Sequence, residues 1–230
     1  MGFYCKINVT YKSKKYIYGI IYLMYKFYNL NKKLEYSGDK MITGKSTIIR
    51  QLEIGDEEYL HKWWNDSKLM EHAAHPFGTL QSKEAIKLNI LKEIENSTMF
   101  PEKKRFLICK KENMDPIGEI NYSGWEARNQ KCEFGIKICE VQEQGKGYGE
   151  DALTHFIDFL FRFLNLNKIE LTTMIDNKRA QKLYRKLGFK EIGIIRQGYF
   201  DTRSGKLADV VYMDLLKEEW KMKRNYGNHN

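Results

Sequence analysis

A nine-residue run, VQEQGKGYG (141–149), is the first place in this sequence where spacing points to chemistry. It lies between an apolar alternating run, Cys132–Val141, and a long helical pattern, Ala152–Leu164. That order reads as a strand, a glycine-rich turn and a helix start. Gly145 and Gly147 carry no Cβ, so the backbone turns tightly there and brings its amide N–H groups close to a ligand. At the positive end of the following helix, such N–H groups form a seat for phosphate oxygens. Two nucleotide motifs are excluded by spacing. A dinucleotide fingerprint needs G-x-G-x-x-G, and Glu150 stands at its last position; a P-loop needs G-x-x-x-x-G-K-[ST], and before Gly44, Lys45 and Ser46 the nearest glycine, Gly38, is one residue too far upstream.

A second pattern follows, NKRAQKLYRKLGF (177–189). Together, Gln142-x-x-Gly145-x-Gly147 and this downstream run resemble the two hallmarks of the GNAT superfamily of acyl-coenzyme A N-acyltransferases. The resemblance spans about Ile48 to Trp220, is sharpest over Glu133–Asp214, and is strongest to the spermidine and ribosomal-protein acetyltransferase branches. It implies an α/β fold, with a mixed, twisted central sheet split near its middle and helices on both faces, and acetyl-CoA as co-substrate. It also assigns roles. Gln142, Gln144, Gly145, Lys146, Gly147, Tyr148 and Gly149 would seat the pyrophosphate; Ile136 and Ile138 would offer backbone groups to the pantetheine arm; Asn177 and Ala180 would contact the same arm. Tyr184 matches the position of the general acid to the departing thiolate, a task that suits a phenol of pKa ~10.

The base is harder to place. Ribosomal-protein acetyltransferases of this superfamily often carry Glu on the strand before the Asn177 position, where this chain has Thr172. Glu133 is the substitute, or a water chain ending at an acid such as Glu119. Asn177 has a second reading as a helix N-cap, and Tyr184 as packing on its own helix. His155 reads as a packing residue. The acceptor is a primary amine on a polyamine-like molecule or, as the runner-up, a protein N-terminus. A sensor that binds acetyl-CoA without turnover is a third reading, and Tyr184 argues against it.

Other features bound the answer. The net charge of +9 is uneven: residues 1–40 hold eight Lys against two Asp/Glu, leaving about +3 for the rest. A near-neutral body gives no ground for nucleic-acid binding. The first forty residues are basic and tyrosine-rich, and their apolar stretch, Ile17–Tyr28, is too short to span a membrane. They read as a peripheral extension, with a start at Met41 as one option, or alternatively as an interfacial membrane anchor. No firm membrane association is expected, and a homo-oligomer is left open. Cys5, Cys109, Cys132 and Cys139 form no C-x-x-C pair, so neither a metal site nor a disulfide framework is indicated, and a reducing cytoplasm fits.

Positioning these groups requires a set of elements. Strands are expected at Thr47–Leu52, Arg105–Lys111, Pro116–Trp125, Gln130–Val141, Lys168–Met174, Phe189–Arg196 and Ala208–Leu216. Asp56 should cap a helix through Trp64, Ser82 a second, and Asn177 one that ends at Gly188; a further helix should run from Tyr148 to Leu164. Between Glu53 and Glu102 ten Asp/Glu face five Lys/Arg; the excess reads first as the ordinary charge of surface helices and second as an acidic wall that would attract a cationic amine. The domain is expected over residues 41–220, with a polar, frayed tail at 221–230.

Overall fold

The strand pattern closes into one eight-stranded sheet. The computed structural model describes residues 41–70, 75, 77–96, 98 and 100–227, so the expectations for residues 1–40 lie outside the described residues. The strands are Ile42–Thr43 (β1), Thr47–Gln51 (β2), Lys104–Lys110 (β3), Pro116–Glu126 (β4), Lys131–Ile138 (β5), Lys168–Met174 (β6), Lys190–Asp201 (β7) and Lys206–Leu216 (β8). Their spatial order is β1-β2-β3-β4-β5-β6-β8-β7, and every neighbouring pair is antiparallel except β5 and β6.

Helices cover both faces, and side-chain alternation decides which core each strand residue joins. On β3, Phe106 and Ile108 enter one cluster while Leu107 and Cys109 enter the other. The larger cluster lies under the helix Tyr148–Arg162, which buries Ala152, Leu153, Phe156, Ile157, Leu160 and Phe161 along one stripe. The smaller lies under Glu57–Trp64 (α1) and Lys83–Glu95 (α3), through Leu60, Trp63, Ile86 and Ile90. Each such fully buried large side chain contributes about 1.5–3 kcal/mol relative to exposure. The short helix Ser67–Met70 (α2) lies between these two in sequence; Tyr148–Arg162 is α4, Lys178–Leu187 is α5, and Lys217–Gly227 is α6.

Several local expectations meet the structure directly. The Ser82 hydroxyl accepts from the Ala85 N–H at 3.1 Å, and Gly188 ends α5 in the left-handed region at φ +100°. Others are corrected. The Asp56 carboxylate makes no cap bond to α1; it takes both ends of the Arg50 guanidinium at 2.8 Å and the Glu53 N–H at 2.7 Å. A paired, buried guanidinium is a stronger partner than an exposed amide, which explains the switch. β7 and β8 run past the expected Arg196 and Ala208 and pair on to Asp201 and Lys206, with irregularities between Glu191 and Gly193 and between Ile195 and Tyr199. The tail is helical through Gly227, held where Trp220 Nε1 and Arg224 both donate to Asp158, at 2.7 and 3.0 Å.

Candidate active site

The sheet splits at its one parallel seam. β5 and β6 pair only over Lys131, Cys132 and Glu133 with Lys168, Ile169 and Glu170. Past Glu133, β5 continues along β4 to Ile138, while β6 continues along β8. The wedge exposes one backbone edge of β5. The Cys139 N–H donates to Ile117 O at 2.8 Å, which turns the backbone groups of Cys139 toward β4. Alternation then turns those of Ile138 and Ile136 the other way, into the wedge. There the Ile138 carbonyl accepts the Gln144 side-chain amide at 2.9 Å. Both isoleucines therefore stand where an extended amide chain could add to the edge.

The glycine-rich turn sits at the end of this strand. Gly145 and Gly147 have φ +81° and +91°, and a Cβ built on either meets nothing within 4 Å. Gly147 caps α4, while Tyr148 and Gly149 begin its first turn. The space above these amides is open. Two carboxylates in that turn would repel a phosphate, and both are engaged elsewhere. Glu150 pairs with Lys186 at 2.6 Å. Asp151 accepts from the N–H groups of Lys45, Ser46 and Thr47 at 2.9–3.0 Å and from the Thr47 hydroxyl at 2.7 Å. Burial alone would raise the Asp151 pKa, but these hydrogen bonds outweigh it and hold the carboxyl below its ordinary range. Lys146 pairs with Glu143 at 3.0 Å. Gln142 is exposed and donates to Glu140, away from the wedge.

Across the wedge, Asn177 caps α5 by accepting the Ala180 N–H at 3.1 Å. That bond uses the carbonyl oxygen and leaves the two amide protons for another partner. The Tyr184 ring rests edge-on against Phe134 at 5.8 Å and against Phe189 at 5.9 Å. Phe134 is the first residue of β5 beyond the last β5–β6 pair, so the phenol lies at the apex of the split. Burial pushes its pKa up to about 12, which keeps the hydroxyl protonated. The opposite face of the sheet presents Glu133, Gly135 and Lys137 on β5 beside Ser123, Asn121 and Glu119 on β4. Glu133 is exposed. Glu119 takes the Trp64 indole N–H at 3.1 Å from each of its oxygens.

These features coincide with a family. The family model described as the acetyltransferase (GNAT) domain matches residues 47–190. The chain belongs to the GNAT acetyltransferases. It is an N-acetyltransferase whose acetyl donor is acetyl-CoA. It is 28% identical over 178 residues to a spermidine N(1)-acetyltransferase of Vibrio cholerae, covering 75% of this chain and 94% of that one. An N-acetyltransferase of Bacillus licheniformis, p20, is 28% identical over 75% of this chain and 93% of its own. The crystal structure of the Vibrio cholerae spermidine N-acetyltransferase with CoA and spermine superposes with a TM-score of 0.67 at 26% identity, covering 76% and 98% of the two chains.

In this acetyltransferase the glycine-rich turn carries two overlapping frames of one motif. The spacing Q-x-x-G-x-G occurs from Gln142 to Gly147 and again from Gln144 to Gly149. Gln144 is anchored to the strand and Gln142 is not, while Gly147, the helix cap, belongs to both frames. Overlapping repeats of Gln and Gly in 142–149 were the available signal. Of the two readings of the acid excess at 53–102, the ion pairs favour ordinary surface charge. Glu57, Glu58 and Glu93 pair with Lys87, Lys83 and Arg105, Asp56 pairs with Arg50, and Asp66 accepts N–H groups of α2. Half of the ten acids are thus engaged within the helices or by arginines on the neighbouring strands. His155 Nδ1 lies 2.8 Å from Asp151 O, a local helix contact.

Proposed function

We propose that this acetyltransferase transfers the acetyl group directly to a primary amine of a small, polyamine-like cation at the split between β5 and β6. The observation that carries it is the placement of a protonated phenol, Tyr184, against the strand at the apex, with carboxylates Glu133 and Glu119 on the opposite face of the same strands. Acetyl-CoA supplies the acetyl group as a thioester. The amides of Gly145, Gly147, Tyr148 and Gly149 hold its pyrophosphate at the start of α4. Ile136 and Ile138 pair with the pantetheine arm, and the Ile136 N–H is the donor for the oxyanion that forms when the amine attacks. Asn177 offers its free amide protons to that arm beside Ala180.

The cationic amine first releases one proton to solvent; the neutral nitrogen that attacks must then lose one proton and the departing sulfur must gain one. Glu133, directly or through water, takes the proton of the attacking nitrogen. Tyr184 faces the sulfur. A phenol at about 12 lies above a thiol at ~8.5, so complete transfer from it is uphill by about 4–5 kcal/mol. Its role is therefore a hydrogen bond to the developing thiolate, which becomes a proton transfer only as charge builds on sulfur. The polyamine preference rests on Glu133 and Glu119, carboxylates on the same face of β5 and β4, together with similarity to spermidine acetyltransferases. Buried thiols at Cys109, Cys132 and Cys139 suit a reducing cytoplasm.

Thiol release across a panel of amines and N-terminal peptides tests the acceptor. Spermidine should be turned over, with a KM that rises with ionic strength because exposed attraction is screened over ~8 Å at physiological salt. Glu119→Gln should raise that KM about tenfold, the size of one charge-assisted contact, and leave the KM for acetyl-CoA unchanged. Turnover of a peptide but not of spermidine at low salt would replace the polyamine reading with N-terminal acetylation.

A further inference from the structure

Gly135 lies inside β5, the strand that carries the split, and its backbone does not require a glycine. It has no positive φ. Glycine weakens a strand interior, because it loses more chain entropy on folding and offers no side chain to pack. The glycines of the neighbouring β4 are explained otherwise: a Cβ on Gly118 would run into the Lys137 carbonyl, and Gly124 has φ +60°. For Gly135, the three atoms nearest to an added Cβ all belong to the Asn121 side chain, Nδ2 at 3.0 Å and Cγ and Oδ1 at 3.6 Å.

Asn121 is the register partner of Gly135 and lies over it on the sheet face that presents Glu119 and Glu133. Its side-chain amide is half-buried and has no hydrogen-bond partner among the described residues. Its polar neighbours on that face are engaged elsewhere. Glu119, two residues along β4, takes the Trp64 indole N–H, and Lys137, diagonal across the pair, places Nζ 2.9 Å from Met70 Sδ. A half-buried amide without a partner carries a desolvation cost that a ligand would relieve. A strand glycine marks a place where another group approaches closely. The two observations are independent, and they meet beside Ile136, whose N–H faces the wedge.

We propose that Asn121 orients the attacking amine: its Oδ1 accepts one N–H of the neutral nitrogen, in the space that Gly135 leaves open. This role rests on the reading of the Ile136 N–H as the oxyanion donor. A thioester carbonyl held there lies next to Gly135, and the amine reaches its carbon from the face of Glu133. Glu133 stands diagonally across the β4–β5 pair from Asn121, within reach of the same nitrogen. A neutral primary amine has two N–H bonds and a lone pair. Asn121 holds one N–H, Glu133 faces the other, and the lone pair is left for the carbonyl carbon. When the C–N bond forms and the C–S bond breaks, Glu133 takes its proton and the sulfur keeps the bonding pair. Asn121 keeps its hydrogen bond to the N–H that remains, so nothing is transferred to it.

The test is steady-state thiol release with spermidine and acetyl-CoA on the full chain and on Asn121→Leu, Asn121→Asp and Gly135→Ala, with CoA affinity from calorimetry and stability from urea unfolding. Leu keeps the branched shape of Asn without an acceptor, whereas Asp keeps an accepting oxygen. Asn121→Leu should lower kcat/KM for spermidine about tenfold to a hundredfold, the loss of one orienting hydrogen bond, with CoA affinity unchanged. Asn121→Asp should retain most of the activity. Gly135→Ala should lose turnover while unfolding at the same or a higher urea concentration, because alanine suits a strand at this φ. Parental kcat/KM in Asn121→Leu, or an active Leu variant beside an inactive Asp one, would make the side chain a space-filler and overturn the assignment. So would CoA affinity that falls in step with turnover, or a Gly135→Ala variant that is fully active or simply less stable. If the unaltered protein acetylates an N-terminal peptide but not spermidine, only the polyamine reading has failed, and the same variants measured with that peptide decide the role of Asn121.

Discussion

Replacing Tyr184 by Phe removes one oxygen from a ring held edge-on by Phe134 and Phe189. The packing is retained, so the chemical loss can be read alone. A positioned proton donor contributes about 10²–10⁴ in rate, and kcat should fall by that factor with CoA affinity unchanged. Stability supplies an independent readout. Burial raises the phenol from 10.0 to about 12, so the native state holds its proton where the unfolded chain has lost it. The sign follows: the contribution is complete below pH ~10 and is lost as pH rises toward 12, an amount of about 3 kcal/mol. The variant should lack that alkaline decline. Urea unfolding at pH 8, 10 and 11, beside single-turnover thiol release, measures both. Near-normal turnover, with the alkaline stability loss abolished, would show that Tyr184 only packs; an unchanged alkaline loss would refute the burial argument.

Two further outcomes are expected. Gly147→Glu should reduce CoA affinity more than a hundredfold in calorimetry, because a carboxylate repels phosphate at a position that also requires φ +91°; unchanged affinity in a folded variant would refute the loop assignment. Asp151→Ala should destabilise by about 2–4 kcal/mol at pH 7, since it leaves the amides of Lys45, Ser46 and Thr47 without their acceptor. The Asp151 pKa is lowered, so its contribution is present above pH ~4 and lost as pH falls through the native value; the gap between variant and parent in urea midpoints should close in acid.

Much of the site was legible because its parts are local in sequence. A Gln–Gly turn between a strand pattern and a helix pattern, an Asn three residues before an amide it can cap, and a Gly where a helix needs positive φ all act over a few residues. Tyr184 was singled out by the resemblance of residues 177–189 to the superfamily pattern, not by a local signal of its own.

The split was expected through the resemblance, but the residue at which it begins and the partner of each carboxylate are non-local, and the sequence left them open. Nothing within β5 says that its pairing with β6 stops at Glu133; that follows from β6 staying with β8 while β5 stays with β4. The acid excess at 53–102 looked like a field for a cationic substrate, yet Arg50 and Arg105, on strands packed beside those helices, neutralise part of it. Gln142 and Gln144 share a residue type and a spacing to glycine, and only the return of the chain past Ile138 separates them. Alternation and capping are properties of a single element and can be read from a string. Ion pairs and sheet edges are properties of two elements, and their partners are fixed only when the chain has folded.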